Sequence, residues 1–155
     1  MTYSLHVKTL GECKIDSPLV LSQADNDFVP NFTPPGERIF VEGKSSKEQP
    51  DTTQYFESGG PRAKIYFDPS KTRAGIVTCG GLCPGINNVV IALVNELMTG
   101  YGVKNVTGFR YGFAGLVPSA GYETLQLTPA LVADWNLKGG SMLGSSRGHQ
   151  ETTDM

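Results

Sequence analysis

The run Ala74-Gly75-Ile76-Val77-Thr78-Cys79-Gly80-Gly81-Leu82-Cys83-Pro84-Gly85-Ile86-Asn87-Asn88 constrains this chain more than any other stretch. It opens with apolar residues too few for a helix and then breaks into a Gly/Pro loop. After Asn87 it takes on helical spacing, with Val89, Val90, Leu93, Val94, Leu97 and Met98 on one stripe and Gly100 as the stop. Strand, glycine turn and helix bring several backbone N–H groups and the positive end of a helix dipole to one point, which attracts phosphate. Glycine lets the phosphate reach the backbone, where a side chain would block it. The same pattern also makes a plain tight turn in many α/β proteins, so on shape alone both readings stand.

The segments that follow extend the pattern. Val103 to Phe109 reads as a second strand, and a strand–helix–strand order implies a parallel crossover. Arg110-Tyr111-Gly112-Phe113-Ala114-Gly115-Leu116 leaves the C-terminal end of that strand, where open parallel sheets place their ligand loops. Glu123 to Leu127 is a candidate short strand. Thr128-Pro129 is a helix start, with Thr as cap and Pro at the first helical position. Leu131, Val132 and Trp135 form the apolar face of that helix, with Trp135 read as core, and Gly139-Gly140 stops it. Ser141-Met142-Leu143-Gly144-Ser145-Ser146-Arg147-Gly148 is then a second small-residue loop. Its hydroxyls, amides and one guanidinium suit an anion.

The first half is less regular. Leu5-His6-Val7, Pro18-Leu19-Val20-Leu21, Arg38-Ile39-Phe40-Val41 and Lys64-Ile65-Tyr66-Phe67 are candidate extended segments, with Gln23 to Gly36 as loop. Gly43 to Thr53 is polar and reads as a linker, dividing an N-terminal extension (1–53) from a second domain (54–155). Only two clear parallel strands follow Ala74, too few to close a doubly wound sheet, and Glu151 to Met155 looks like the capped start of another helix. The second domain is therefore expected to be incomplete.

Composition narrows the function classes. A net charge of −2 gives no basic face for nucleic acid. No apolar run approaches the length of a membrane span, and Met1 to Leu10 has no signal-peptide core. Three cysteines, an odd number, argue for a reducing compartment, with the cytoplasm as the expected location. Cys79 and Cys83 are not followed by a second ligand pair, so no metal site is expected and all three cysteines are read as reduced packing or loop residues.

Three segments, Gly80 to Asn87, Gly108 to Leu116 and Gly139 to Gly148, together with the lead-in Gly60-Pro61-Arg62 and Ile65-Tyr66-Phe67-Asp68-Pro69, resemble the phosphofructokinases. The likeness is to the pyrophosphate-type branch that includes ATP-using members, and it covers about residues 54 to 155. The resemblance implies the start of a doubly wound, mainly parallel Rossmann-like α/β sheet. It implies Gly80 and Gly81 against the donor phosphates, with Arg147 and Gly148 on their other side. Arg110 stands where some relatives place an aromatic residue beside the adenine. The reaction implied is phosphoryl transfer from ATP, or from pyrophosphate, to fructose 6-phosphate, with Mg2+ on the donor and a homodimer or homotetramer as the assembly.

The family's catalytic base, metal site and sugar-phosphate residues would fall after Met155. None is assigned here, and residues 1–155 alone are expected to be inactive. Ile91 and Asn95 occupy positions where some relatives carry two effector-binding arginines, which leaves a non-catalytic regulatory paralogue as an alternative. An unrelated dinucleotide-binding module is disfavoured because no acidic residue closes that fingerprint at the expected offset.

Overall fold

The structure is a computed structural model and describes residues 8–22, 24, 27–41, 54–147 and 153–155. Leu5 to Val7, the linker from Gly43 to Thr53, Gly148 and the helix start expected at Glu151 lie outside the described residues.

The chain forms two compact units, Met1–Phe67 and Asp68–Met155. In the first unit, β1 (Ile15–Asp16) pairs antiparallel with β4 (Lys64–Ile65), and β2 (Arg38–Phe40) pairs antiparallel with β3 (Tyr55–Glu57). Residues 54–67, read from sequence as the opening of the second domain, thus pair with the first unit. The strand expected over 18–21 does not form. Pairing ends where Ser17 N–H donates to the Ala63 carbonyl (2.9 Å), because Pro18 has no N–H to continue the ladder. No apolar side chain of this unit is fully buried among the described residues. Polar contacts hold it instead. Arg62 Nη1 donates to the carbonyls of Thr33 (3.2 Å) and Pro34 (2.8 Å), and Nη2 donates to Glu57 Oε1 (3.2 Å) and to the Ser58 carbonyl. Arg38 lies over the Tyr55 ring at 4.0 Å.

The second unit carries the core. Asp68 opens it with a turn. The Ser70 hydroxyl and amide, with Lys71 beside them, hold the Asp68 carboxyl below its ordinary range. Strand β5 (Arg73–Val77) follows, then helix α1 (Ile86–Asn95), β6 (Asn105–Phe109), β7 (Leu125–Gln126) and the single turn α2 (Pro129–Val132). The sheet order is β5-β6-β7. β5 and β6 are parallel in the register Arg73↔Asn105 to Val77↔Phe109, as the strand–helix–strand order requires, while β7 runs antiparallel to β6. The architecture is mixed α/β with a mixed sheet.

Ile76, Val90, Val94, Val103, Val106, Leu127, Val132, Trp135 and Leu143 form the buried core, and Trp135 belongs to it as the sequence predicted. The apolar stripe of α1 needs correction. Val90 and Val94 are buried and Ile91, Leu97 and Met98 pack beside them, but Val89 and Leu93 are 54% and 45% exposed. They lie one residue earlier, about 100° round the helix, so only one of the two adjacent apolar rows faces the sheet. Leu131 is likewise exposed, leaving Val132 and Trp135 as the inward face of that segment. Helical winding continues to Gly100 through a wider last turn, in which Tyr101 N–H donates to the Glu96 carbonyl (2.9 Å). The left-handed residue that closes it is Gly102 (φ 73°) rather than Gly100.

Thr128 caps α2 as expected, its hydroxyl accepting from Leu131 N–H at 3.2 Å with Pro129 behind it. Thr128→Ala is therefore expected to cost about 1 kcal/mol, read as a lower urea midpoint at unchanged slope. Thr128→Ser should retain most of that stability.

Candidate phosphate-binding site

Three loops meet at the C-terminal ends of β5 and β6. The first leaves β5 through Thr78 and Cys79, turns at Gly80 (φ 85°) and enters α1 at Gly85 (φ 84°). Left-handed backbone at both points suits glycine. No side chain caps the N-terminus of α1 and no acidic residue lies in its first turn, so the positive end of the helix is unneutralised there.

The second loop leaves β6 at Arg110. Tyr111 is held at φ 60°, unusual for a side-chain-bearing residue. The backbone on either side explains this: Tyr111 N–H donates to the Leu143 carbonyl (2.9 Å), and its carbonyl accepts from Ser146 Oγ (2.6 Å). Its ring lies on Gly144, where an added Cβ would stand 2.8 Å from the ring, and packs against Tyr122 at 4.8 Å between centroids. The Arg110 guanidinium lies 5.4 Å from the Tyr111 ring centre, with Nε buried and without a hydrogen-bond partner.

The third loop is Ser141 to Arg147, and it is tied to the other two. Gly80 N–H donates to the Ser146 carbonyl (3.2 Å). Thr78 Oγ1 donates to the Gly144 carbonyl (2.6 Å) and lies 2.9 Å from Ser141 Oγ. Asn87, buried in the first turn of α1, donates from Nδ2 to the carbonyls of Trp135 (3.1 Å) and Lys138 (3.0 Å). Its Oδ1 accepts from Met142 N–H (3.0 Å). Arg147 is exposed, and its Nη2 would lie 3.2 Å from a Cβ at Gly81. Any side chain at residue 81 would crowd that guanidinium.

The fold thus brings Gly80, Gly81 and Arg147 to one place. It puts Arg110 on the adjoining loop, turned against Tyr111. Gly148 is not among the described residues. Sequence reasoning missed Thr78 and Asn87 as connectors; the only signal was a polar residue just after a short apolar strand and another in the first turn of an apolar helix. Among the described residues, no group of three His, Cys, Asp or Glu side chains is placed to hold a metal ion. The hydroxyls of Thr78 and Ser146 are engaged in the loop bonds above. The arrangement offers amides, a helix N-terminus and a guanidinium, a set suited to binding and orienting an anion.

A parallel βαβ unit with its glycine turn and anion-suited loops at the strand C-termini defines the class: an α/β protein with a Rossmann-like ligand edge. The family model described as phosphofructokinase matches residues 73–155, and the chain belongs to the phosphofructokinase family. It is similar to the ATP-dependent 6-phosphofructokinase of Amycolatopsis methanolica, 44% identical over 156 residues that cover 97% of this chain and 34% of that protein. It is also similar to the ATP-dependent 6-phosphofructokinase of Entamoeba histolytica, 42% identical over 147 residues (95% of this chain, 32% of that protein). ATP-dependent 6-phosphofructokinase 4, chloroplastic, of Arabidopsis thaliana is 43% identical over 98 residues, or 63% of this chain and 18% of that protein. The chain spans about a third of the length of the first two relatives.

Proposed function

We propose that this chain forms the donor-phosphate wall of a 6-phosphofructokinase, which transfers a phosphoryl group from ATP to fructose 6-phosphate. The observation that carries the reading is the meeting of Gly81 and Arg147 across the mouth of the glycine turn, beside an uncapped helix N-terminus. Gly81 offers its N–H to the phosphates, Gly80, whose own N–H is taken by the Ser146 carbonyl, leaves them open space to approach, and Arg147 offers its fork; Gly148 is assigned to the same edge from the resemblance. Arg110, with Tyr111, is assigned to the base side of the donor. ATP is favoured over pyrophosphate because the relatives named above are all designated ATP-dependent.

Phosphoryl transfer rests on positioning and charge stabilisation, and both are what these loops supply. The described residues do not form a cage for Mg2+. In such sites the ion is held largely by the donor's own phosphates and water. Three free, exposed cysteines fit a reducing compartment and support the cytoplasm. No described helix is long and apolar enough to cross a membrane. A homodimer or homotetramer is proposed on the family resemblance alone.

A thermal-shift titration of the chain with MgATP, pyrophosphate and fructose 6-phosphate tests the reading. ATP is expected to raise the midpoint, by the equivalent of about 2.7 kcal/mol at a hundredfold excess over Kd, and fructose 6-phosphate to leave it unmoved. No shift with ATP at millimolar concentration would overturn the assignment.

A further inference from the structure

The Ser141 to Arg147 loop carries a guanidinium that meets the glycine turn, and its own side chains anchor it only in part. Met142 is partly buried and Ser146 is held by its bond to the Tyr111 carbonyl. Leu143 alone is fully buried. The first half of the loop, Ser141 to Gly144, is fixed from either side of the glycine turn. Thr78, the residue after β5, donates to the Gly144 carbonyl at 2.6 Å and meets Ser141 Oγ at 2.9 Å. Asn87, in the first turn of α1, makes three bonds to backbone at Trp135, Lys138 and Met142. Both are nearly sealed from solvent, Thr78 at 6% and Asn87 at 4% exposure, so water cannot readily replace these bonds. One amide that satisfies two carbonyls and one N–H uses its donors and its acceptor in a single orientation, which sets the loop's register.

An asparagine in the first helical turn would ordinarily be read as part of the helix start. Here the helix gains nothing from it, because its side chain bonds only to residues 48 to 55 positions away. The same glycine turn that would hold the donor phosphates is therefore flanked on both sides by side chains committed to the opposite loop.

We infer that Thr78 and Asn87 are positioning residues that hold the Arg147 loop in register with the glycine turn, so that the donor meets a preformed site. The inference rests on the donor-site reading above. They act through Arg147 and are not placed in contact with the donor.

The test uses the chain with inorganic tripolyphosphate and with MgATP as probes, in calorimetric titrations well below the unfolding midpoint. Thr78→Val keeps the shape and loses the hydroxyl. It is expected to weaken both probes about 5- to 20-fold, the loss that follows from removing one or two buried bonds, while Thr78→Ser stays within about twofold. Asn87→Ala is expected to lose more, and Thr78→Val keeps the question answerable if Asn87→Ala fails to fold. Val132→Ala, which removes packing from the same core without touching a loop bond, is the stability-matched control and should keep its affinity. Amide hydrogen exchange without ligand adds a readout that a general loss of stability would not reproduce: faster exchange confined to residues 141–147, with β6 unchanged. Unchanged affinity in Thr78→Val, or equal losses in Thr78→Val and Val132→Ala, would overturn the inference and leave the donor site standing. If the unmodified chain binds neither probe, the donor-site reading fails and the inference fails with it.

Discussion

Arg147→Ala is expected to weaken binding of ATP and of tripolyphosphate by about 10- to 100-fold while moving the thermal midpoint by no more than about 2 °C. The two halves of that expectation have different causes. Arg147 is exposed on the rim of the glycine turn, so its truncation leaves no cavity. Its guanidinium is also the cation that faces Gly81, and a charge-assisted bond to phosphate is worth about 1.5–3 kcal/mol. Arg147→Lys separates charge from geometry: a point charge without the fork should recover part of the affinity and not all of it. Equal binding by wild type and Arg147→Ala in calorimetry would remove this residue from the site.

Leu143→Ala is expected to do the reverse and lower stability first. Leu143 is fully buried and packs over Gly108 of β6, where an added Cβ would stand 2.7 Å from its side chain. A cavity at such a position costs about 2–5 kcal/mol. In a unit of under about 100 residues that corresponds to a fall of roughly 10–30 °C in the midpoint by calorimetry. Leu143→Met, nearly volume-conserving, should cost less than about 1.5 kcal/mol. Leu143 sits between Ser141 and Arg147, and its carbonyl receives the Tyr111 N–H. A midpoint within a few degrees of wild type for Leu143→Ala would show that the loop is not anchored through the core.

Much of the second unit was legible in the sequence because its signals are local. A short apolar run, a glycine turn and a 3.6-residue pattern are each contained within a few residues, as is the Thr128-Pro129 cap. What was not legible depended on a partner elsewhere in the chain. Periodicity found the apolar residues of α1 but could not say that a three-stranded sheet covers only the row with Val90 and Val94 and leaves Val89 and Leu93 outside. The run at 18–21 is apolar enough for a strand, yet Pro18 stops the ladder at Ser17. The meeting of Gly81 with Arg147 was suggested only by motif order. The bonds of Thr78 and Asn87 span 48 to 66 residues and leave no periodic trace at all. Nor does sequence foretell that Tyr111 adopts a left-handed backbone, since its two backbone bonds and the bare surface of Gly144 decide that in three dimensions.

The grip of Asn87 on its neighbours is blind to their side chains, because all three bonds end on peptide groups at Trp135, Lys138 and Met142. Lys138 is the useful case. Its side chain is about half exposed and pairs with Asp134, in a surface ion pair at 3.3 Å that contributes little. With Cys13, Cys79 and Cys83 first replaced by serine, a cysteine placed at residue 138 and labelled with a small fluorophore would ride on the clasped segment without disturbing the clasp. The residue then becomes an attachment point from which loss of the clasp in Asn87→Ala can be read directly.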